Sequence, residues 1–153
     1  MSAAPSPTIR AAVATDVPGL SRLLEQLGYP TPPWVVSGRL LALAREGRTT
    51  ILVADAGAGA IGFLALTRLD ILPYAEPLAR ITALCVDEGS RGGGVGGALE
   101  ERAAEIARGW GCAKLEVTSN RRRVRAHGFY ERRGYEETHR FFVKQLRNAE
   151  PGG

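Results

Sequence analysis

A chain of 153 residues and 16.4 kDa has the size of one compact domain, long enough to bury a core and too short for two ordinary ones. With 44% hydrophobic and 24% charged residues, and no apolar run near the ~20 residues needed to cross a bilayer, the composition excludes a membrane-spanning protein. The net charge of +4 is modest but uneven: residues 121–147 carry nine Lys or Arg against three Glu, so the C-terminal third favours an anion.

Residues 1–7 are small and proline-punctuated, without the basic and apolar regions of a secretory signal. They and residues 148–153 read as loose tails on a single domain 1–153 with a core of about 8–146, and a cytoplasmic location is expected. A short strand at 8–12 precedes a helix capped by Thr15 or Asp16, in which Val17, Leu20, Leu24 and Leu27 recur at helical spacing until Gly28. Pro32-Pro33 opens a second helix over 34–46, closed by Gly47. Strands at 50–55 and 60–67 flank a Gly-Ala turn, and a Pro-containing connection at 70–77 leads to a strand at 79–86. That strand runs into Arg91-Gly92-Gly93-Gly94-Val95-Gly96, after which Val95, Leu99, Ala103, Ile106 and Trp110 mark one face of an amphipathic helix. Glu100, Glu101, Arg102, Glu105 and Arg108 are expected on its other faces. A strand at 113–118 completes a parallel crossover. A helix over 124–133 follows, then an antiparallel pair of 135–138 with 140–146.

Four glycines in five positions between a buried strand and a helix invite a phosphate, because backbone can approach it without Cβ clashes and the helix N-terminus offers free N–H groups. A plain flexible loop is the competing reading. A nucleotide-binding P-loop would need Gly-Lys-Ser or Gly-Lys-Thr, whereas Ala98 follows Gly96-Gly97. A dinucleotide fold wants its glycine turn in the first strand-helix unit, and this unit is central. The two cysteines, Cys85 and Cys112, lie in or beside apolar runs without metal-ligand spacing, so both are expected in the core of a protein from a reducing compartment, and no metal is expected.

Arg91, Gly94 and Gly96 match the pattern (Arg or Gln)-x-x-Gly-x-(Gly or Ala) of the Gcn5-related N-acetyltransferase (GNAT) family, which the chain resembles over nearly its whole length. Asn120, the run Ala126-His127-Gly128-Phe129-Tyr130-Glu131 and Gly134-Tyr135 resemble the second half of that family. The C-terminal third is most similar to aminoalkylphosphonate N-acetyltransferases and related small-amine acetyltransferases. The resemblance implies an α/β fold: a mixed, mainly antiparallel central sheet flanked by helices, with a splayed parallel pair at the cofactor site. It implies acetyl-CoA as cosubstrate, a small-molecule amine as acceptor and a homodimer. A non-catalytic acetyl-CoA-binding module, or acetylation of a protein amine, are the alternative functions.

Carried over residue by residue, the resemblance implies that backbone around Leu84, Cys85 and Val86 pairs with the pantetheine arm and that Arg91, Gly92, Gly93, Gly94, Val95, Gly96 and Gly97 hold the pyrophosphate. Asn120 would bond the pantetheine, and Tyr130, a phenol protonated at neutral pH, would serve as general acid to the leaving thiolate. Many members carry a glutamate on the strand before the glycine turn, but here Arg80, Thr82 and Ala83 stand there and no carboxylate lies within 79–86. Glu76 and Glu116 are the candidate bases, acting through water, with His127 and His139 as further candidates. The run Arg121-Arg122-Arg123 with Arg125 lacks interleaved aromatics, which favours cofactor electrostatics or a solvated face over nucleic acid. Tyr29, Trp34 and Tyr74 fall in regions that line acceptor pockets in the family.

Overall fold

The computed structural model describes residues 6–119 and 122–147. Five strands form one sheet in sequence order: β1 (Thr8–Ala11), β2 (Thr49–Asp55), β3 (Ala60–Leu69), β4 (Leu78–Val86) and β5 (Lys114–Val117). The first four pair antiparallel, and β4 and β5 run parallel. This is the mixed, mainly antiparallel sheet the sequence implies, because a hairpin turn joins β2 to β3 whereas a helix returns the chain between β4 and β5. Four helices flank it: α1 (Val17–Leu27), α2 (Pro33–Glu46), α3 (Val95–Gly109) and α4 (Val124–Arg132).

The core lies on both faces of the sheet. On one face Leu52, Ala54, Leu64, Leu66, Ala79 and Ile81 meet Val95, Leu99, Ala103 and Ala107 of α3. On the other Val53, Phe63 and Cys85 meet Val17, Leu20 and Leu23 of α1 and Val36 of α2. The central strands β3 and β4 are thus covered twice, which is why they read as nearly continuous apolar runs rather than alternating ones.

Three details depart from the sequence reading. Asp16 stands at the start of α1 but does not cap it. Its carboxylate turns back to accept from the Val13 N–H at 2.8 Å and, bidentately, from Arg10 at 2.7 and 2.9 Å. Arg10 also donates to Asp55 at 3.0 Å, whose other oxygen accepts from the Gly57 and Gly59 N–H groups in the β2–β3 turn. A buried carboxylate with three donors is worth more here than one cap bond. Second, Glu100 is buried instead of lying on a polar face, since it shares the helical side of Ala103 and Ala107 at i+3 and i+7. Third, the antiparallel pair expected over 135–146 is not formed: residues 135–145 contain neither strand nor helix. No Gly, Pro, Asn or Asp lies between Tyr135 and Leu146 to make the required turn.

The Arg10–Asp16 pair carries a prediction. Arg10→Ala strands the buried Asp16 carboxylate and is expected to cost about 3 kcal/mol, read as a lower denaturation midpoint. The Arg10 hydrogen bonds hold the Asp16 carboxyl below the usual carboxylate range. The stability they supply is therefore present above about pH 4 and lost as pH falls further, so Asp16→Asn should flatten the acid limb of the stability profile.

Candidate functional site

The site is a gap opened by the divergence of β4 from β5. Their pairing runs from Leu78 opposite Lys114 to Ile81 opposite Val117 and stops there, although β4 continues to Val86. At this point β4 carries an extra residue: Ala65 faces Ala83 and Leu66 faces Ile81, so Thr82 has no partner on β3 and the strand bends. The Asp87 N–H donates to the Ile61 carbonyl at 2.8 Å. By the alternation of an antiparallel ladder, Cys85 then turns its backbone toward β3, and Leu84 and Val86 turn theirs toward the side that β5 has left. Cys85 is not brought to the gap. Its thiol lies in the core, 3.4 Å from the Leu23 carbonyl, and burial pushes its pKa up.

The glycine turn continues from that open edge. Asp87 is held by Arg22 at 2.5 Å and Gln26 at 2.8 Å, and the Glu88 N–H donates to Gln26, so α1 pins the start of the turn. Arg91 Nε donates to the Val86 carbonyl at 3.3 Å. Gly92 and Gly94 have φ of +87° and +81°, left-handed backbone that a side chain would strain. The first helical bond of α3 runs from the Ala98 N–H to the Gly94 carbonyl. The N–H groups of Val95, Gly96 and Gly97 therefore have no intrahelical acceptor, and no side chain caps them. Gly96 and Gly97 lie under α4: a Cβ at Gly96 would meet the Phe129 ring at 3.5 Å, an ordinary contact distance, and one at Gly97 would stand 3.0 Å from the Arg133 guanidinium, the far end of a flexible side chain. They let α4 lie across the first turn of α3.

That contact positions Tyr130. Its ring packs edge-on to Phe129 at 5.2 Å and to Tyr135 at 5.5 Å. Burial pushes its phenol above the usual value, and against the opposing influence of Arg123 the nearby Glu100 charge acts in the same direction. Glu100 is the tie between α3 and the end of α4, accepting from Arg133 Nε at 2.7 Å and from the Tyr135 hydroxyl at 2.9 Å. Sequence reasoning missed this carboxylate, and the one signal for it was its i+3, i+7 alignment with Ala103 and Ala107.

The two candidate bases lie at different heights. Glu116 stands directly across from Arg80 in the last rows before the strands part, and Arg80 donates to its Oε1 through both Nε and a terminal nitrogen. Glu76 lines a surface pocket with Tyr74, Pro77, Leu78 and Lys114, at the opposite end of β4 from the glycine turn. Trp34 is exposed in the first turn of α2, and Tyr29 is exposed after α1. His139 is exposed and bonded to Thr138. Arg123 donates to the Leu27 carbonyl at the end of α1, which gives one member of the arginine run a structural task. Asn120 and Arg121 lie outside the described residues. Among the described residues no group of three or more His, Cys, Asp or Glu converges on a metal-sized point, and no helix is long and apolar enough to cross a membrane.

An extended, amide-bearing chain that ends in a pyrophosphate fits these features. The open β4 edge offers strand-like hydrogen bonds and the bare start of α3 offers anion-binding N–H groups. Ser119 Oγ, just past β5, is buried without a partner among the described residues.

Comparison with known proteins agrees with this arrangement. Residues 20–135 match the acetyltransferase (GNAT) family. An aminoalkylphosphonate N-acetyltransferase of Salmonella typhimurium is 35% identical over 86 residues, and the match spans 56% of this chain and 56% of that relative, about half of each. Among solved structures, a transcriptional regulator from Bacillus halodurans superposes with a TM-score of 0.83 at 25% identity, covering 92% of this chain and 99% of the other. An aminoglycoside N-acetyltransferase in complex with CoA has the same fold, with a TM-score of 0.82 at 19% identity over 92% of this chain and 95% of its own.

Proposed function

Because this chain belongs to the GNAT acetyltransferase family, we propose that it moves an acetyl group from acetyl-CoA directly to a primary amine of a small molecule. The observation that carries this reading is the continuity of the β4 edge that β5 leaves unpaired, at Leu84 and at the N–H of Val86, whose carbonyl Arg91 takes, with the uncapped N-terminus of α3. One binds an extended amide-bearing chain and the other a pyrophosphate. The spacing between them is set by a single stretch of backbone that Arg22, Gln26 and Arg91 hold in place.

In this reading the thioester lies where β4 and β5 part. The amine nitrogen attacks the thioester carbonyl, the C–S bond breaks, and the Tyr130 phenol gives its proton to the departing sulfur. The proton lost by the amine passes to water held by a carboxylate. Glu116 is the favoured carboxylate because it stands at the parting of the strands, whereas Glu76 lies beyond the start of β4. Holding amine and thioester together supplies much of the rate, and no acyl-enzyme is required. A small amine bearing an anionic group, as in the aminoalkylphosphonate relative, is the first acceptor to try. A non-catalytic acetyl-CoA-binding module is the second reading, favoured by the engagement of Glu116 with Arg80.

Thiol release from acetyl-CoA, measured against aminoalkylphosphonates, amino acids, polyamines and aminoglycosides, decides between the two. We expect turnover of at least one class, with Glu116→Gln lowering kcat/KM by about 100-fold and Glu76→Gln leaving it nearly unchanged. Tight acetyl-CoA binding with no acceptor turned over would sink the enzyme reading in favour of the binding module. Equal losses in the two variants would remove Glu116 from its role.

A further inference from the structure

We propose that Arg80 is the specificity residue of the acceptor site: it binds the anionic group of a small zwitterionic amine and, in doing so, releases the Glu116 carboxylate that it otherwise holds. This rests on the acetyl-transfer reading above, and it gives one residue both the choice of acceptor and the control of its base.

The position of Arg80 follows from the register of the sheet. On β2 and β3, Ile51, Val53 and Phe63 face α1 and α2, whereas Leu52, Leu64 and Leu66 face α3. On β4, Cys85 and Ala83 keep to the α1 side, and strict alternation would put Ile81 there next. The extra residue Thr82 shifts the phase, so Ile81 joins the α3 core and Arg80 turns to the opposite face. Leu115 and Val117 of β5 pack on the α3 side, which leaves Lys114 and Glu116 on the face of Arg80. The result is one polar row across four strands: Thr49 opposite Thr67, Thr67 opposite Arg80, and Arg80 opposite Glu116.

The rows nearer the glycine turn are packed under α1 and α2, but the Arg80 and Glu116 side chains remain 32 and 37% exposed. The Thr49 and Thr67 hydroxyls bond each other at 2.8 Å, so the charged pair is what the row offers a ligand. Arg80 spends Nε and one terminal nitrogen on the same oxygen of Glu116, and its other terminal nitrogen and Glu116 Oε2 have no partner among the described residues. An ion pair this open to water is weakly held, and a phosphonate or carboxylate that takes the guanidinium fork bidentately displaces it. Neighbouring strands lie about 5 Å apart, so an acceptor with two or three atoms between its charges carries its ammonium beside Glu116 when its anion sits on Arg80. The freed carboxylate then accepts the ammonium proton through water, and the neutral nitrogen attacks the thioester. An uncharged amine cannot displace Arg80, and the base stays engaged.

The test compares an acceptor with its own masked form: 2-aminoethylphosphonate with its diethyl ester, and β-alanine with its amide. The wild type is expected to favour the free anion by about 100-fold in kcat/KM in at least one pair, the scale of losing charge-assisted hydrogen bonds. Arg80→Gln should act with opposite signs, lowering kcat/KM for the anion and raising it several-fold for the masked amine, so that the preference disappears. A second measurement needs no substitution: at saturating acetyl-CoA, methylphosphonate should accelerate acetylation of ethylamine by occupying Arg80 and inhibit that of the preferred anionic acceptor. Equal losses for both members of a pair in Arg80→Gln, or inhibition of both amines by methylphosphonate, would overturn the inference and leave acetyl transfer in place. No turnover of any amine would instead remove the acetyl-transfer reading, and this inference with it.

Discussion

Tyr130→Phe is expected to lower kcat by about 100- to 1,000-fold, within the range that a positioned proton donor contributes, while leaving the affinity for CoA nearly unchanged. The substitution removes one oxygen and keeps the ring, so the edge-on contacts with Phe129 and Tyr135 survive. Among the described residues the Tyr130 hydroxyl makes no hydrogen bond that the fold would miss. Stability should therefore move little, and a loss of activity reports chemistry. Burial raises the Tyr130 phenol above its ordinary value, so the proton is present across the neutral range and an alkaline fall in activity due to this group begins only above the ordinary phenol range. The phenylalanine variant should lose that alkaline limb along with its rate. Unchanged turnover would assign proton delivery to water or another group and leave Tyr130 as packing.

The parts of the molecule that could be read from the sequence are those governed by local rules. The helix after the glycine turn is visible because Val95, Leu99, Ala103 and Ile106 repeat at helical spacing and Gly111 stops them. The parallel β4–β5 pair follows from placing that helix between two apolar runs. What escaped depends on contacts between segments far apart in the chain. Thr82 gives no sign that it is the extra residue on β4, since the bulge is defined only against Ala65 and Leu66 of β3. Asp16 has the residue type of a helix cap, and only the approach of Arg10 from β1 shows that it is needed elsewhere. Glu100 is charged and so reads as solvent-facing, but Arg133 and Tyr135, more than thirty positions away, offset its burial with two hydrogen bonds. Phe141, Phe142 and Val143 have the strand propensity behind the hairpin expected over 135–138 with 140–146, but propensity supplies neither the turn nor the partner.

The glycine cluster allows two experiments that separate its tasks. Gly94→Ala places a side chain at φ +81°, where left-handed backbone costs about 1–2 kcal/mol. Relief of that strain rotates the peptide that leads into the first turn of α3, so the uncapped N–H groups of Val95, Gly96 and Gly97 lose their alignment. The expected result is a dissociation constant for CoA raised by about 5- to 30-fold, following the energy of the strain at 1.4 kcal/mol per decade, with kcat at saturating acetyl-CoA nearly unchanged. Gly96→Val acts through a different contact. Its branched carbons extend beyond a Cβ that already stands 3.5 Å from the Phe129 ring, so α4 is forced off α3 and Tyr130 goes with it. Overpacking of this kind costs about 1–3 kcal/mol of stability, and the displaced phenol should lower kcat by at least tenfold, since small misplacements of a reacting group are costly. Calorimetry of CoA binding together with saturating kinetics distinguishes the two variants. If both weakened CoA to the same extent and left kcat intact, the glycines would share one role in the phosphate turn, and the placement of Tyr130 through Phe129 and Gly96 would have to be abandoned.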